Sequence, residues 1–233
     1  MNYKAILFDL DGTLLPMNME TFTKGYFEEL SKVMAPLLVN PKDLVSLIWA
    51  GTEAMVRNDG SKRNEEVFWE KFFSMADVDK EQAMQVTESF YKNEFHNAKR
   101  FAGENKLATE VVALAHAHDR KVVLATNPLF PMNGQLSRIS WVGLKEEDFE
   151  FITSYETECY CKPNPDYYKS ICERLGVKPE ECLMIGNDEK EDMYAASSIG
   201  MDCYLVTDCI IPCEEHPWKG ASGSFASLLE VLK

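Results

Sequence analysis

Five short apolar runs alternate with stretches of helical spacing, and this alternation limits the possible fold more than any other feature of the chain. Strands are expected at residues 3–9, 121–126, 149–153, 182–185 and 202–207. These runs are short and apolar, as strands buried on both faces of a parallel sheet are. Helices are expected between and after them, at 106–119, 164–175, 189–199 and 224–232. The ends of the second can be read from residue type. Asn164 suits an N-cap, Pro165 the first helical position and Gly176 the stop. Strands alternating with helices predict an α/β fold, a doubly wound parallel sheet with a Rossmann-like core.

One interval breaks the rhythm. Between Asp11 and Lys106 no strand is expected, and four helices are, at 19–38, 41–57, 64–75 and 80–97. Their breaks fall at Asn40-Pro41, at Asn58-Asp59-Gly60 and at Asp77. Helices of this length can bury one another. The expectation is a core domain of residues 1–16 and 99–233 carrying an inserted helical-bundle domain of residues 17–98. A chain of 233 residues has room for both. The aromatic residues of the insert are expected to fill its interior. Lys24 and Arg57 are its candidate substrate contacts.

Chemistry-bearing residues fall at the ends of four expected strands. Asp9-Leu10-Asp11-Gly12-Thr13 closes the first. Residues two apart on an extended segment face the same way, so Asp9 and Asp11 can address one substrate. Gly12 permits a tight turn and close backbone approach to a ligand. Thr126 and Asn127 close the second strand and can hydrogen-bond phosphoryl oxygens. Lys162, which follows the third, stands at a helix entry where both its charge and the helix terminus favour an anion. Gly186-Asn187-Asp188, with Asp192 beyond, closes the fourth. Magnesium takes oxygen ligands, usually only one or two of them carboxylates, and Asp9 with Asp188 or Asp192 meets that need. Ligands of open parallel sheets bind at this edge.

This set resembles the haloacid dehalogenase-like hydrolases. That superfamily shows D-x-D-G-T at the first strand, a Thr or Ser at the second, a Lys before the third helix and an acidic cluster at the fourth strand. Asp9/Asp11, Thr126, Lys162 and Asp188/Asp192 match in the same order. The family often carries a helical cap inserted after the first motif, where the insert lies here. The resemblance implies a phosphatase that hydrolyses a small-molecule phosphate monoester. Asp9 would be the nucleophile and form an aspartyl phosphate, and Asp11 the acid and base. Gly12, Thr126, Asn127 and Lys162 would bind the phosphoryl group. Mg²⁺ would be held by Asp9, the Asp11 carbonyl, Asp188 and Asp192. A sugar-phosphate mutase of the same fold uses the same residues, and a non-catalytic binding or regulatory protein could retain the fold. A phosphonate hydrolase would need a cap lysine, for which Lys24 is available. Dehalogenases resemble the chain only at Asp9.

The fourth motif departs from the common Gly-Asp. Aligned without a gap, Asn187 takes the usual metal-ligand place. Shifted by one residue, Asp188 and Asp192 keep the common spacing, and a carboxylate binds Mg²⁺ better than an amide, which favours Asp188.

Charge bears on partners. The formal net charge of −14 opposes nucleic acid and anionic membrane as partners. No apolar run approaches a membrane span, and the start of the chain does not read as a signal peptide. Seven cysteines, an odd number, all between Cys159 and Cys213, suggest no disulfide framework and fit a reducing cytoplasm. Cys209, Cys213 and His216 lack a paired C-x-x-C, which argues against zinc.

Overall fold

The computed structural model describes residues 3–233, so the first two positions of the expected segment 1–16 lie outside the described residues. β1 (Ala5–Phe8) precedes α1 (Met19–Met34), α2 (Leu44–Val56), α3 (Asn64–Met75) and α4 (Lys80–Lys92). Strands and helices then alternate through α5 (Ala108–Ala115), β2 (Lys121–Leu124), α6 (Met132–Trp141), β3 (Phe151–Ile152), α7 (Pro165–Leu175) and β4 (Cys182–Gly186). The chain finishes with α8 (Ala195–Ser197), β5 (Asp202–Val206), β6 (Ser222–Gly223) and α9 (Leu228–Val231). The strands form one parallel sheet in the order β3-β2-β1-β4-β5-β6. The five expected strands are all present, four of them shorter than expected and β4 one residue longer. β6 and α6 are additions.

The pleat explains how the sheet is covered on both faces. Alternate residues of a strand point to opposite sides. Ile6 and Phe8 of β1 join Val122, Leu124, Leu183 and Ile185 in one apolar cluster, while Ala5 and Leu7 join Val123, Cys182 and Met184 in the other. Val111 and Val112 of α5 and Leu228 of α9 cover the first face. Tyr168, Ile171 and Leu175 of α7 cover the second. α7 keeps its expected termini: the Asn164 side chain accepts from the Asp166 amide at 3.0 Å, and the helix stops at Gly176.

The four helices between β1 and α5 do not enclose an apolar core of their own. Phe22 and Tyr26 of α1, Phe68 and Phe72 of α3 and Phe90 of α4 belong to the same cluster as Ile6 and Phe8. The first turn of α3 is tied to the segment after β3. The amides of Asn64 and Glu65, which no preceding helical turn can satisfy, donate to the carbonyls of Glu158 and Tyr155, each at 2.9 Å. The Asn64 side chain, fully buried, also donates to Cys161 Sγ at 3.3 Å.

Register sets the functional edge. Phe8 lies beside Leu124 of β2 and Ile185 of β4. Asp9, Ala125-Thr126 and Gly186-Asn187 therefore emerge together at the carboxyl ends of the three central strands. The chain leaves β1 toward β2 on one side and returns with β4 on the other, which opens a crevice at this edge.

Candidate active site

Asp9 and Lys162 meet at the crevice. The Lys162 ammonium, 1% exposed, donates to Asp9 Oδ1 at 2.9 Å and to Asp192 Oδ1 at 2.6 Å. Burial pushes the Asp9 carboxyl up to about 8; Lys162 opposes this, while the charges of Asp192 and Asp11 add to it. Lys162 is driven well above its ordinary value by Asp192 and Asp9, against the desolvation that acts first on a buried ammonium. The site thus holds two carboxylates on one cation, with a third carboxylate two residues along the chain.

Gly12 has φ +88°, and a Cβ there would come 2.2 Å from the Asn187 side-chain nitrogen. Its absence lets the turn after β1 close onto Asn187. The Thr13 hydroxyl, next in the chain, lies 3.3 Å from Asp9 Oδ2 and 3.0 Å from Asn187 Oδ1. Asn187 Nδ2 donates to the carbonyl of Cys209 at 2.7 Å, which turns its oxygen toward Thr13 and Asp9.

The acidic run that follows is wound as a π-helix over Glu189–Tyr194, where a continuous α-helix over 189–199 was expected. The Asp188 carboxylate caps it, accepting through Oδ1 from the amides of Lys190 and Glu191, both at 2.8 Å. Asp192 Oδ2 accepts from the amides of Asn187 and Asp188, at 3.1 and 3.0 Å. Of the three fourth-motif candidates, Asn187 therefore shares the Thr13 hydroxyl with Asp9, Asp192 holds Lys162, and Asp188 holds the helix start.

Thr126 is buried and its carbonyl is fixed by the hydroxyls of Thr153, at 2.7 Å, and Tyr167, at 2.8 Å. Asn127 Nδ2 donates to Glu191 Oε2 at 2.9 Å and to the Lys162 carbonyl at 3.4 Å. Its amide hydrogens are thus engaged within the protein. Burial raises the Glu191 carboxyl to about 7.

Asp11 leans away from Asp9 toward α6. Its Oδ2 is paired with Nη1 of Arg138, a fully buried side chain, and its Oδ1 is buried without a partner. The sequence does not mark Arg138, Gln135 or Glu191, and it gives Thr13 a place in the first motif without a role. Met132, Leu136 and Ile139 behind Pro131 carry the helical spacing that could have located α6. Nothing in the sequence marks its arginine. Lys24 is exposed, and Arg57 is exposed and paired with Glu53 at 2.6 Å.

Among the described residues no group of three or more His, Cys, Asp and Glu could hold a metal ion. A magnesium-type cation needs fewer carboxylates. Asp9 and the amide oxygen of Asn187, brought to one hydroxyl, fit it, and the elevated Asp9 carboxyl is a group that a cation would stabilise in its charged form.

The sequence model of the haloacid dehalogenase-like hydrolases matches residues 3–200. The chain belongs to that family. Among relatives of this haloacid dehalogenase-like hydrolase is the phospholysine phosphohistidine inorganic pyrophosphate phosphatase of Xenopus laevis. It is 38% identical over 93 residues, which are 39% of this chain and 34% of that protein. The match thus spans about a third of that relative's length. The pyrophosphatase PpaX of Halalkalibacterium halodurans is 22% identical over 206 residues, 88% of this chain and 84% of that protein. A solved 2-haloacid dehalogenase from Pseudomonas syringae pv. tomato DC3000 superposes with a TM-score of 0.62 at 18% identity, covering 99% of this chain and 98% of that one. This likeness concerns the fold. Phosphatases of the family generally use a divalent metal. No helix among the described residues is long and apolar enough to cross a membrane.

Proposed function

We propose that this hydrolase is a magnesium-dependent phosphatase of small phosphate monoesters, with Asp9 as nucleophile. The observation that carries this is the buried Lys162 ammonium shared by Asp9 and Asp192 at one strand edge, 2.9 Å from the proposed nucleophile. Asp11, which dehalogenases lack, supports phosphoryl chemistry over dehalogenation, and the names of the two relatives agree with that choice.

Asp9 attacks phosphorus in line, and the bond to the leaving oxygen breaks as that oxygen takes a proton from Asp11. Asp11 then accepts a proton from the water that hydrolyses the aspartyl phosphate. Lys162 neutralises phosphoryl charge and, through Asp192, is held in place. When bound, Mg²⁺ neutralises phosphoryl oxygens beside Asp9. Asp9, the main-chain carbonyl of Asp11 and Asn187 would hold it. This set leaves out Asp188, whose Oδ1 accepts from two backbone amides, and Asp192, whose oxygens accept from Lys162 and from the amides of Asn187 and Asp188, and the amide oxygen of Asn187 takes their place. Residues 17–98 act as a cap over a core of 1–16 and 99–233, and shape access to Asp9.

Phosphate release from a panel of small esters, with Mg²⁺ present, tests the reading. Asp9→Asn is expected to abolish release while the protein stays folded. Turnover of the Asn variant at the wild-type rate would overturn the nucleophile. Wild-type rates in excess chelator would overturn the metal. Phosphate freed to water, rather than passed between sugar hydroxyls, separates a phosphatase from a mutase.

A further inference from the structure

A cavity of about 130 Å³ lies between the helical insert and the core. The insert lines it with Phe22, Phe27, Trp49 and Phe68, the core with Leu129 and Phe130. Among the described residues no charged side chain lines it. Four of its hydroxyls are engaged within the protein. Tyr26 and Tyr91 bond each other at 2.7 Å, Thr52 donates to the Ile48 carbonyl at 3.0 Å, and Thr87 to Met34 Sδ at 3.2 Å. Trp69 Nε1, from the same lining, is buried without a hydrogen-bond partner. Met19 and Trp49 are exposed and mark the opening.

Phe130 ties this wall to Asp11. Its ring carries the Arg138 guanidinium 4.2 Å from the centroid, and Arg138 is paired with Asp11. Lys162, the counter-charge for the phosphoryl group, is bonded to Asp9. A leaving oxygen that takes its proton from Asp11 therefore carries its organic group toward Phe130 and the insert.

We propose that the leaving group of the substrate is an apolar alcohol or phenol bearing one ring, and that this cavity holds the ring. This rests on the reading of the chain as a phosphatase with Asp11 as acid, and names the substrate class of that site. Apolar cavities of about 150 Å³ stay dry and take up benzene, so the volume matches a single ring. Aromatic walls add edge and face contacts to the burial. A sugar would bury several hydroxyls against a wall whose own hydroxyls are largely engaged, and each one left unpaired would weaken binding. The Trp69 N–H suits one acceptor on a ring, not the several hydroxyls of a sugar. The same wall argues against the sugar-phosphate mutase.

The test compares primary-alcohol esters whose leaving oxygens need a proton to a similar degree: 2-phenylethyl phosphate, butyl phosphate and glycerol 3-phosphate, with Mg²⁺ present. kcat/KM is expected to fall in that order, by roughly ten- to hundredfold from first to last, mostly through KM. Thr52→Phe and Thr23→Phe fill the cavity from two helices. Each is expected to erase the preference for the phenyl ester and leave glycerol 3-phosphate unchanged, and if one does not fold the other carries the comparison. A flat profile in the wild type, or a phenyl preference that survives in every folded variant, would overturn the cavity as the leaving-group site and leave the phosphatase reading standing. Release from none of these esters, nor from 4-nitrophenyl phosphate, would overturn the phosphatase reading and the inference with it.

Discussion

Lys162 stands between two buried carboxylates, so its charge has a structural duty besides any chemical one. Lys162→Met would leave Asp9 and Asp192 uncompensated. A loss of about 3–5 kcal/mol of folding stability is expected, measured by urea unfolding without metal. Added Mg²⁺ should return part of it. Glu191 makes a second prediction at this scale. Its carboxyl is raised from 4.5 to about 7, mainly by burial, with the charges of Asp188 and Asp192 adding to this and Lys162 opposing it. A raised acid supports the fold below its unfolded value and loses that support as pH climbs through the folded one. Glu191→Gln should therefore match the wild type near pH 4 and exceed it in stability above pH 7, by up to about 3 kcal/mol. An unchanged difference across that window would show that Glu191 does not titrate with folding. The residues of the four strand-end motifs were legible because chemistry demands particular side chains at particular spacings. Arg138 was not, since a lone arginine on an amphipathic helix reads the same whether it meets solvent or Asp11.

Elements were legible where one local pattern dominates. α3 was expected over 64–75 and occupies Asn64–Met75. α7 announced both its ends. Harder cases depend on distant partners. β6 is two residues, Ser222–Gly223, and becomes a strand only by pairing with Leu205 and Val206. The π-helical turn over Glu189–Tyr194 forms where Asp192 folds back to the amides at 187 and 188, a constraint that hydrophobic spacing does not carry. The α2–α3 connection gives the prediction for this scale. Gly60 has φ +88°, and a Cβ there would lie 2.2 Å from the Tyr160 hydroxyl. Gly60→Ala should cost about 1–3 kcal/mol, seen as a lower urea midpoint with an unchanged slope.

The whole molecule is strongly anionic, with a formal net charge of −14, and a phosphate ester must approach it against that field. Screening should then help. At saturating Mg²⁺, kcat/KM for an aryl phosphate is expected to rise several-fold between about 10 and about 150 mM salt. A fall would show that the local field of Lys162 and the metal governs the encounter. The helical insert was legible as a break in alternation, but its sharing of one apolar cluster with the sheet was not, because amphipathic spacing does not say which surface a helix meets. The tie between α3 and the chain just before Lys162 has a consequence for modularity. Asn64 touches Cys161, the neighbour of Lys162. A chimera that exchanges the insert between relatives to redirect substrate choice would have to transplant residues 58–64 together with 153–161, or lose register where the chemistry is most exacting.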